Sequence, residues 1–309
     1  MMLNFKPFTL SLRDRTLVLD RPQIMGIVNV TPDSFYSASR TFDVDSLEKK
    51  VEQMVSEGVD IFDIGAYSTS TAVYLKLHLG VDIFDIGAYS TRSGADDVSP
   101  EEELRRLQRG MEVVKRMAPN IPVSIDTFRA NVARTCVEEM GADIVNDVSG
   151  GTLDADMAAT MGQLDVPYIL MHMRGTPATM QQFTDYPGGV VADVVADLKA
   201  KMEHFREQGC RQVILDPGFG LFSKTLEQNY ELMNGLAAFH ELNAPLLVGI
   251  SRKSMIFRLL GTSPAESLEG TTVLNTIAML AGSHILRVHD VRAAVEARTI
   301  LEELDKTKA

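Results

Sequence analysis

Cysteine is almost absent. Cys136 and Cys210 are the only two in 309 residues, and neither belongs to a CxxC pair or a Cys/His cluster. That excludes a disulfide framework and argues against a thiolate zinc site. Long apolar runs are missing too: nothing approaches the roughly 18 consecutive apolar residues of a membrane span. Positive charge is in deficit, with 30 Lys plus Arg against 42 Asp plus Glu and a formal net charge of -12. This balance excludes bulk binding to nucleic acid or to an anionic membrane surface, but not a local cluster for a small anionic ligand. Met1 to Lys6 carries no basic region followed by an apolar stretch, so the expectation is a soluble cytoplasmic chain without a secretory signal. Apolar residues are plentiful, at 45%, enough for a large core and too many for disorder.

The apolar residues fall into short runs bounded by Gly, Pro, Asp or Asn, at 24–30, 81–86, 123–125, 144–148, 166–171, 213–215, 246–250 and 285–288. Such runs read as strands buried on both faces. Amphipathic segments lie between them. Ser99-Pro100-Glu101-Glu102 offers an N-cap, a proline at the first helical position and a capping-box glutamate, and Leu104, Leu107, Met111 and Val114 follow at helical spacing. Leu47, Val51 and Met54 form a similar stripe, capped by Asp43 or Asp45 and stopped by Gly58. Eight strand–helix alternations predict one (β/α)8 barrel over residues 23–305, in a single domain spanning 1–309, with a doubly wound sheet as runner-up. Residues 1–22 hold an alternating segment around Arg13-Asp14-Arg15, expected to form a β-hairpin that plugs the barrel floor.

One feature breaks the pattern. GVDIFDIGAYST occupies residues 58–69 and recurs unchanged at 80–91, a tandem repeat offset by 22 residues. It occurs only twice, so it is no solenoid repeat. A closed eight-stranded barrel has room for one copy. The second leads directly into Thr91-Arg92-Ser93-Gly94 and the capped helix at Ser99, so the second is expected to be the strand, with the first extruded towards the floor.

Barrels of this kind place their chemistry at the C-terminal strand ends. Those ends carry Asn29, Arg92, Asp126, Asn146, His172, Asp216, Lys253 and the Arg287–His289 pair. An isolated Asp after a strand is usually a helix cap, an isolated Lys a solvated charge, and Met171 or Phe219 plain core. Convergence from every strand argues against so bland a reading. Asp126, Asn146, Asp216 and Lys253 form a donor and acceptor ring suited to a flat heterocycle, since a buried carboxylate can take two N–H groups of a guanidine-like edge. Arg92, Arg287 and His289, with the side-chain oxygen of Asn29, suit a di- or triphosphate with a divalent metal.

Residues 25–35, MGIVNVTPDSF, closely resemble the opening signature of the dihydropteroate synthase family. The segments SIDT at 124–127, NDVSG at 146–150, LMHM at 170–173, LDPGFG at 215–220, SRKS at 251–254 and RVHD at 287–290 resemble its later motifs in order. The resemblance implies condensation of 6-hydroxymethyl-7,8-dihydropterin pyrophosphate with p-aminobenzoate to dihydropteroate and pyrophosphate, with Mg2+ as cofactor and a homodimer as the common assembly. It implies a pterin site of Asp126, Asn146, Val148, Met171, Asp216, Phe219 and Lys253. It places Asn29, Arg92, Arg287 and His289 on the pyrophosphate, with Asn29 at the metal. Phe35, Thr91, Arg92, Ser93, Lys253 and Ser254 fall around p-aminobenzoate. Asp126, Lys253, Arg287 and His289 are the expected catalytic residues.

The chain departs from the family pattern near the acceptor site. Tyr89-Ser90-Thr91-Arg92-Ser93-Gly94 stands where the family has Glu-Ser-Thr-Arg-Pro-Gly, so Ser93 replaces a rigid proline. GFGLFSKT at 218–225 is one residue longer than the common form, which makes Leu221 or Phe222 alternative wall residues. The repeat abuts the same second loop. Together these suggest retained substrate binding with reduced sulfonamide sensitivity. The competing readings are a pterin-using methyltransferase that serves a corrinoid and a catalytically impaired pterin-binding protein. The first has no use for the Arg287–His289 pair or for Lys253.

Overall fold

The computed structural model describes residues 5–30, 44–66, 98–176 and 179–307. It opens with an antiparallel hairpin, β1 (Phe8–Ser11) and β2 (Thr16–Leu19). Eight parallel strands follow: β3 (Gln23–Asn29), β4 (Ile61–Gly65), β5 (Val123–Asp126), β6 (Ile144–Asp147), β7 (Tyr168–Met171), β8 (Val213–Asp216), β9 (Leu247–Val248) and β10 (Ile285–Val288). Their order is β8-β7-β6-β5-β4-β3-β10-β9, and a parallel bridge from Leu215 to Leu246 closes the sheet into a barrel. The helices are α1 (Val44–Ser56), α2 (Pro100–Met117), α3 (Ala130–Glu138), α4 (Met157–Leu164), α5 (Val190–Glu207), α6 (Leu226–Asn234), α7 (Ser254–Leu260), α8 (Leu268–Leu280) and α9 (Val291–Lys306). Among the described residues no helix is long and apolar enough to cross a membrane.

The helix signals act as expected, with one difference. Ser99 Oγ accepts from the Glu102 backbone N–H, while the Glu102 carboxylate pairs with Arg105 and Arg106. Leu47, Val51 and Met54 are buried on α1.

Alternate residues of each strand separate two cores. Phe62, Ile64, Val123, Ile125, Leu170 and Leu215 face the helices in the larger one. Met25, Ile61, Ile144, Ile169, Ile214, Leu247 and Ile285 face inwards and pack with Leu10, Leu12 and Leu19 of the hairpin. The hairpin therefore seals the N-terminal end of the barrel with leucine, as expected.

The repeat is resolved the other way from expectation. The first copy supplies the strand: Ile61 pairs with Met25 and Phe62 with Val123. The second copy lies outside the described residues. Twelve identical residues cannot choose between themselves, but the turn ahead of them can. After α1, Gly58 takes φ +88, its N–H bonds Val55 O at 3.1 Å, and the N–H groups of Val59 and Asp60 bond Met54 O at 3.0 Å and Ile24 O at 2.9 Å. Helix passes to strand within residues 57–60. The second copy could occupy this slot only if residues 58–79 passed through that tight turn. Strand β4 ends at Gly65 on the C-terminal face of the barrel, the face where such folds accommodate long connections.

Candidate active site

The site begins two residues above the apolar floor layer. On five of the eight strands the inward position changes over two residues, from Ile61 to Asp63, Ile144 to Asn146, Ile169 to Met171, Ile214 to Asp216 and Ile285 to Arg287. Asn29, Gly65, Asp126 and Asn146 lie side by side in ladder register across β3 to β6. The structure thus brings Asn29, Asp126, Asn146, Met171, Asp216 and Arg287 to one barrel mouth.

At the centre is Asp63, which sequence reasoning missed. It is 3% exposed, and its Oδ2 accepts from Asn146 Nδ2 at 3.1 Å and Arg287 Nη1 at 3.3 Å. Asp63 Oδ1 and Arg287 Nε are buried without a partner. One unmatched acceptor and one unmatched charged donor in the same inward layer are groups that a polar, anionic ligand would satisfy. Burial first, then the charge of Asp63, pushes the Asp126 carboxyl up to about 7, with Arg287 opposing. Asp216 is buried and accepts from the Gly218 N–H at 2.8 Å.

The SRKS and RVHD segments interlock. Ser251 Oγ meets His289 Nδ1 at 3.0 Å and accepts from the His289 backbone N–H at 3.1 Å. Arg252, at φ +56, donates to both oxygens of Asp290 at 2.7 Å. Desolvation pushes the His289 imidazole down to about 4. A value near 4 makes the imidazole neutral at pH 7, and its Nε2 is left to serve as a neutral donor or acceptor.

Lys253 precedes α7 and donates to Phe219 O at 2.5 Å, with its Nζ 4.9 Å from the centre of the Phe222 ring. Phe222 shares a small cluster with Val148 and Met171, whereas the Phe219 ring is fully buried in the large core beneath the helices. Of the wall residues expected, Phe219 or its alternatives Leu221 and Phe222, it is the Phe222 ring that joins Val148 and Met171. The Phe219 backbone touches Lys253. The loop that carries both rings has positive φ at Gly218, Gly220 and Ser223. Ser254 is buried at the start of α7. Phe35, Thr91, Arg92 and Ser93 lie outside the described residues.

Among the described residues no cluster of three His, Cys, Asp or Glu side chains could enclose a metal. Asn29 carries its side-chain oxygen at the end of β3, beside Gly65 and Asp126. A single amide oxygen fits Mg2+, which keeps several waters and takes substrate phosphate oxygens as ligands.

A closed parallel barrel with this mouth falls in the class of pterin-binding enzymes, and the family model described as pterin binding enzyme matches residues 25–78 and again 71–289. The chain belongs to the dihydropteroate synthase family. Dihydropteroate synthase of Escherichia coli K12 is 39% identical over 302 residues, covering 93% of both chains. The structure of Xanthomonas albilineans dihydropteroate synthase with 4-aminobenzoic acid superposes with a TM-score of 0.81 at 33% identity, covering 97% of this chain and 99% of that one. The Yersinia pestis dihydropteroate synthase in a sulfonamide drug complex also gives 0.81, at 34% identity, over 97% and 100% of the two chains.

Proposed function

We propose that this barrel mouth joins 6-hydroxymethyl-7,8-dihydropterin pyrophosphate to p-aminobenzoate, giving dihydropteroate and pyrophosphate for folate synthesis. The observation that carries the reading is the pair of orphaned polar atoms, Asp63 Oδ1 and Arg287 Nε, in the same inward layer. The pterin edge is assigned to Asp126, Asn146, Asp216 and Lys253, with Val148, Met171 and Phe222 as apolar wall. Arg287 and His289 are assigned to the phosphates, Arg287 as the cation and His289 as a neutral N–H donor. Asn29 would hold Mg2+, which when bound supplies positive charge to the pyrophosphate.

Each residue then has a defined task. Arg287 neutralises charge as the C–O bond to pyrophosphate breaks and the electron pair leaves with the phosphate. The methylene left behind is cationic, and Asp126, held between its neutral and ionised forms near pH 7, becomes the better counter-ion as that charge develops. The arylamine nitrogen attacks the methylene, and the proton it then releases passes to the departed pyrophosphate or to solvent. No protein nucleophile is required. Phe35, Thr91, Arg92, Ser93 and Ser254 are assigned to the p-aminobenzoate side on the resemblance alone.

Two further properties belong to this proposal. Reduced sulfonamide sensitivity is motivated by the departures at residues 89–94 and by the repeat beside them. Homodimerisation is motivated by Val273 and Ile277 on α8 and Ile300 and Leu304 on α9, all exposed apolar side chains. The deciding experiment is Mg2+-dependent pyrophosphate release in the presence and absence of p-aminobenzoate, repeated with Arg287→Gln. Release that requires both substrates and collapses in the variant is expected. Pterin binding without p-aminobenzoate-dependent release, or methyl transfer to a corrinoid, would favour one of the competing readings.

A further inference from the structure

Lys224 and His172 are two buried ionisable side chains that the reaction leaves without a role. Both are 0% exposed, Lys224 in the connection after β8 and His172 immediately after β7. Lys224 Nζ has three neighbours: Gly218 O at 2.9 Å, Phe222 O at 3.1 Å and His172 Nδ1 at 2.9 Å. An amino nitrogen makes three such bonds, either donating all three or donating two and accepting one, so its capacity is filled whichever group holds the shared proton. Burial holds the His172 imidazole well below its usual range, and Asp197 lies 3.7 Å from His172 Nε2. Burying such groups is costly unless they are hydrogen-bonded, and here the cost is offset by contacts that all fall on one loop and its neighbour.

The contacts span one short loop, from Gly218 to Phe222. Inside that span are the groups that seat Lys253: the carbonyl of Phe219 at 2.5 Å and the ring of Phe222 at 4.9 Å. The fit is close. Gly220 has φ +103, and a Cβ there would stand 3.1 Å from Lys253 Cδ.

We propose that Lys224 is a positioning residue for pterin binding: from beneath, it clamps the β8–α6 loop to His172, so that the loop presents Phe219 O and the Phe222 ring to Lys253. This rests on the assignment of Lys253 to the pterin subsite. The test is a double-mutant cycle in the full-length enzyme. Lys224→Met keeps chain length and loses the polar contacts. It is expected to raise KM for the pterin substrate by about tenfold while KM for p-aminobenzoate moves by less than about twofold. Added to Lys253→Ala, the same change should alter the pterin KM by less than about threefold, because the loop then has no lysine to seat. An unchanged pterin KM in folded Lys224→Met, or fully additive losses in the double variant, would overturn the proposal. If Lys224→Met does not fold, His172 decides. His172→Asn keeps a polar partner for Nζ and should retain the wild-type KM, whereas His172→Leu should reproduce the loss; equal behaviour of the two refutes the clamp. An unchanged pterin KM in Lys253→Ala alone would instead overturn the assignment of Lys253.

Discussion

Replacing Asp63 by Asn probes the centre of the site with almost no change of shape. The side chain is 3% exposed and holds Asn146 at 3.1 Å and Arg287 at 3.3 Å through one oxygen. The amide keeps one acceptor but loses the charge. Arg287 does not become an orphan, because Asp126 and Asp216 also attract it. The stability loss should therefore resemble that of a hydrogen bond to a charged group, about 1.5–3 kcal/mol, and not the roughly 3–5 kcal/mol of a stranded buried charge. The second effect is on Asp126. Its carboxyl is raised to about 7 by burial first and by Asp63 second, with Asp147 and Glu103 adding smaller pushes, so the variant loses the second cause and the carboxyl falls. A folded-state value above the ordinary 3.8 gives stability that is present at low pH and lost as pH rises through about 7. Asp63→Asn shrinks that contribution, so its stability penalty should be larger near about pH 5 than near about pH 7.5. In pyrophosphate-release assays the acid limb of kcat/KM should move down by on the order of one pH unit. Urea unfolding at the two pH values supplies the companion measurement. An unmoved acid limb together with a pH-independent penalty would refute the coupling between the two carboxylates.

Three other outcomes follow from the same structure. Phe219→Ala should cost about 3–5 kcal/mol of stability, as for a buried ring, while Phe222→Ala should chiefly raise the pterin KM; the reverse pattern in thermal melts and kinetics would restore Phe219 to the wall. Deleting residues 58–79 or residues 70–91 yields the same polypeptide, because the copies are identical. That single-copy enzyme should fold as the same barrel and bind sulfonamide more tightly, and an unchanged inhibition constant would mean that the repeat does not affect the drug. Finally, His284 and His289 are both pushed down to about 4, chiefly by burial. Folded-state values below the unfolded ones mean that these groups remove stability as pH drops from about 6.5 towards 4. His284→Gln should flatten part of that acid slope in a pH series of urea melts, and an identical slope would exclude His284.

Eight short apolar runs between amphipathic helices were enough to specify the barrel, because strand and helix periodicities are local properties of the chain. Much of the site was equally legible. Asp126, Asn146, Asp216 and Arg287 stand at or next to the ends of those runs, and a parallel barrel turns its C-terminal strand ends towards one mouth. The hairpin plug could be read from its alternating leucines. Asp63 was hidden because the repeat offers an identical Asp85, and because it stands inside the second barrel strand and not after its end. The local sequence of the copies is the same; only the tight α1–β4 turn, a contact among Met54, Val55 and Ile24, selects the first. The choice between Phe219 and Phe222 depended on loop dihedrals, positive φ at Gly218, Gly220 and Ser223, that residue types alone do not fix. The neutrality of His289 depended on desolvation first and on the nearby charges of Arg252 and Arg287, which lower its pKa further. Residue type and spacing set the fold and the chemical inventory of this protein. Which copy enters the barrel, which ring faces the site and which group carries charge are set by the neighbours that folding brings together.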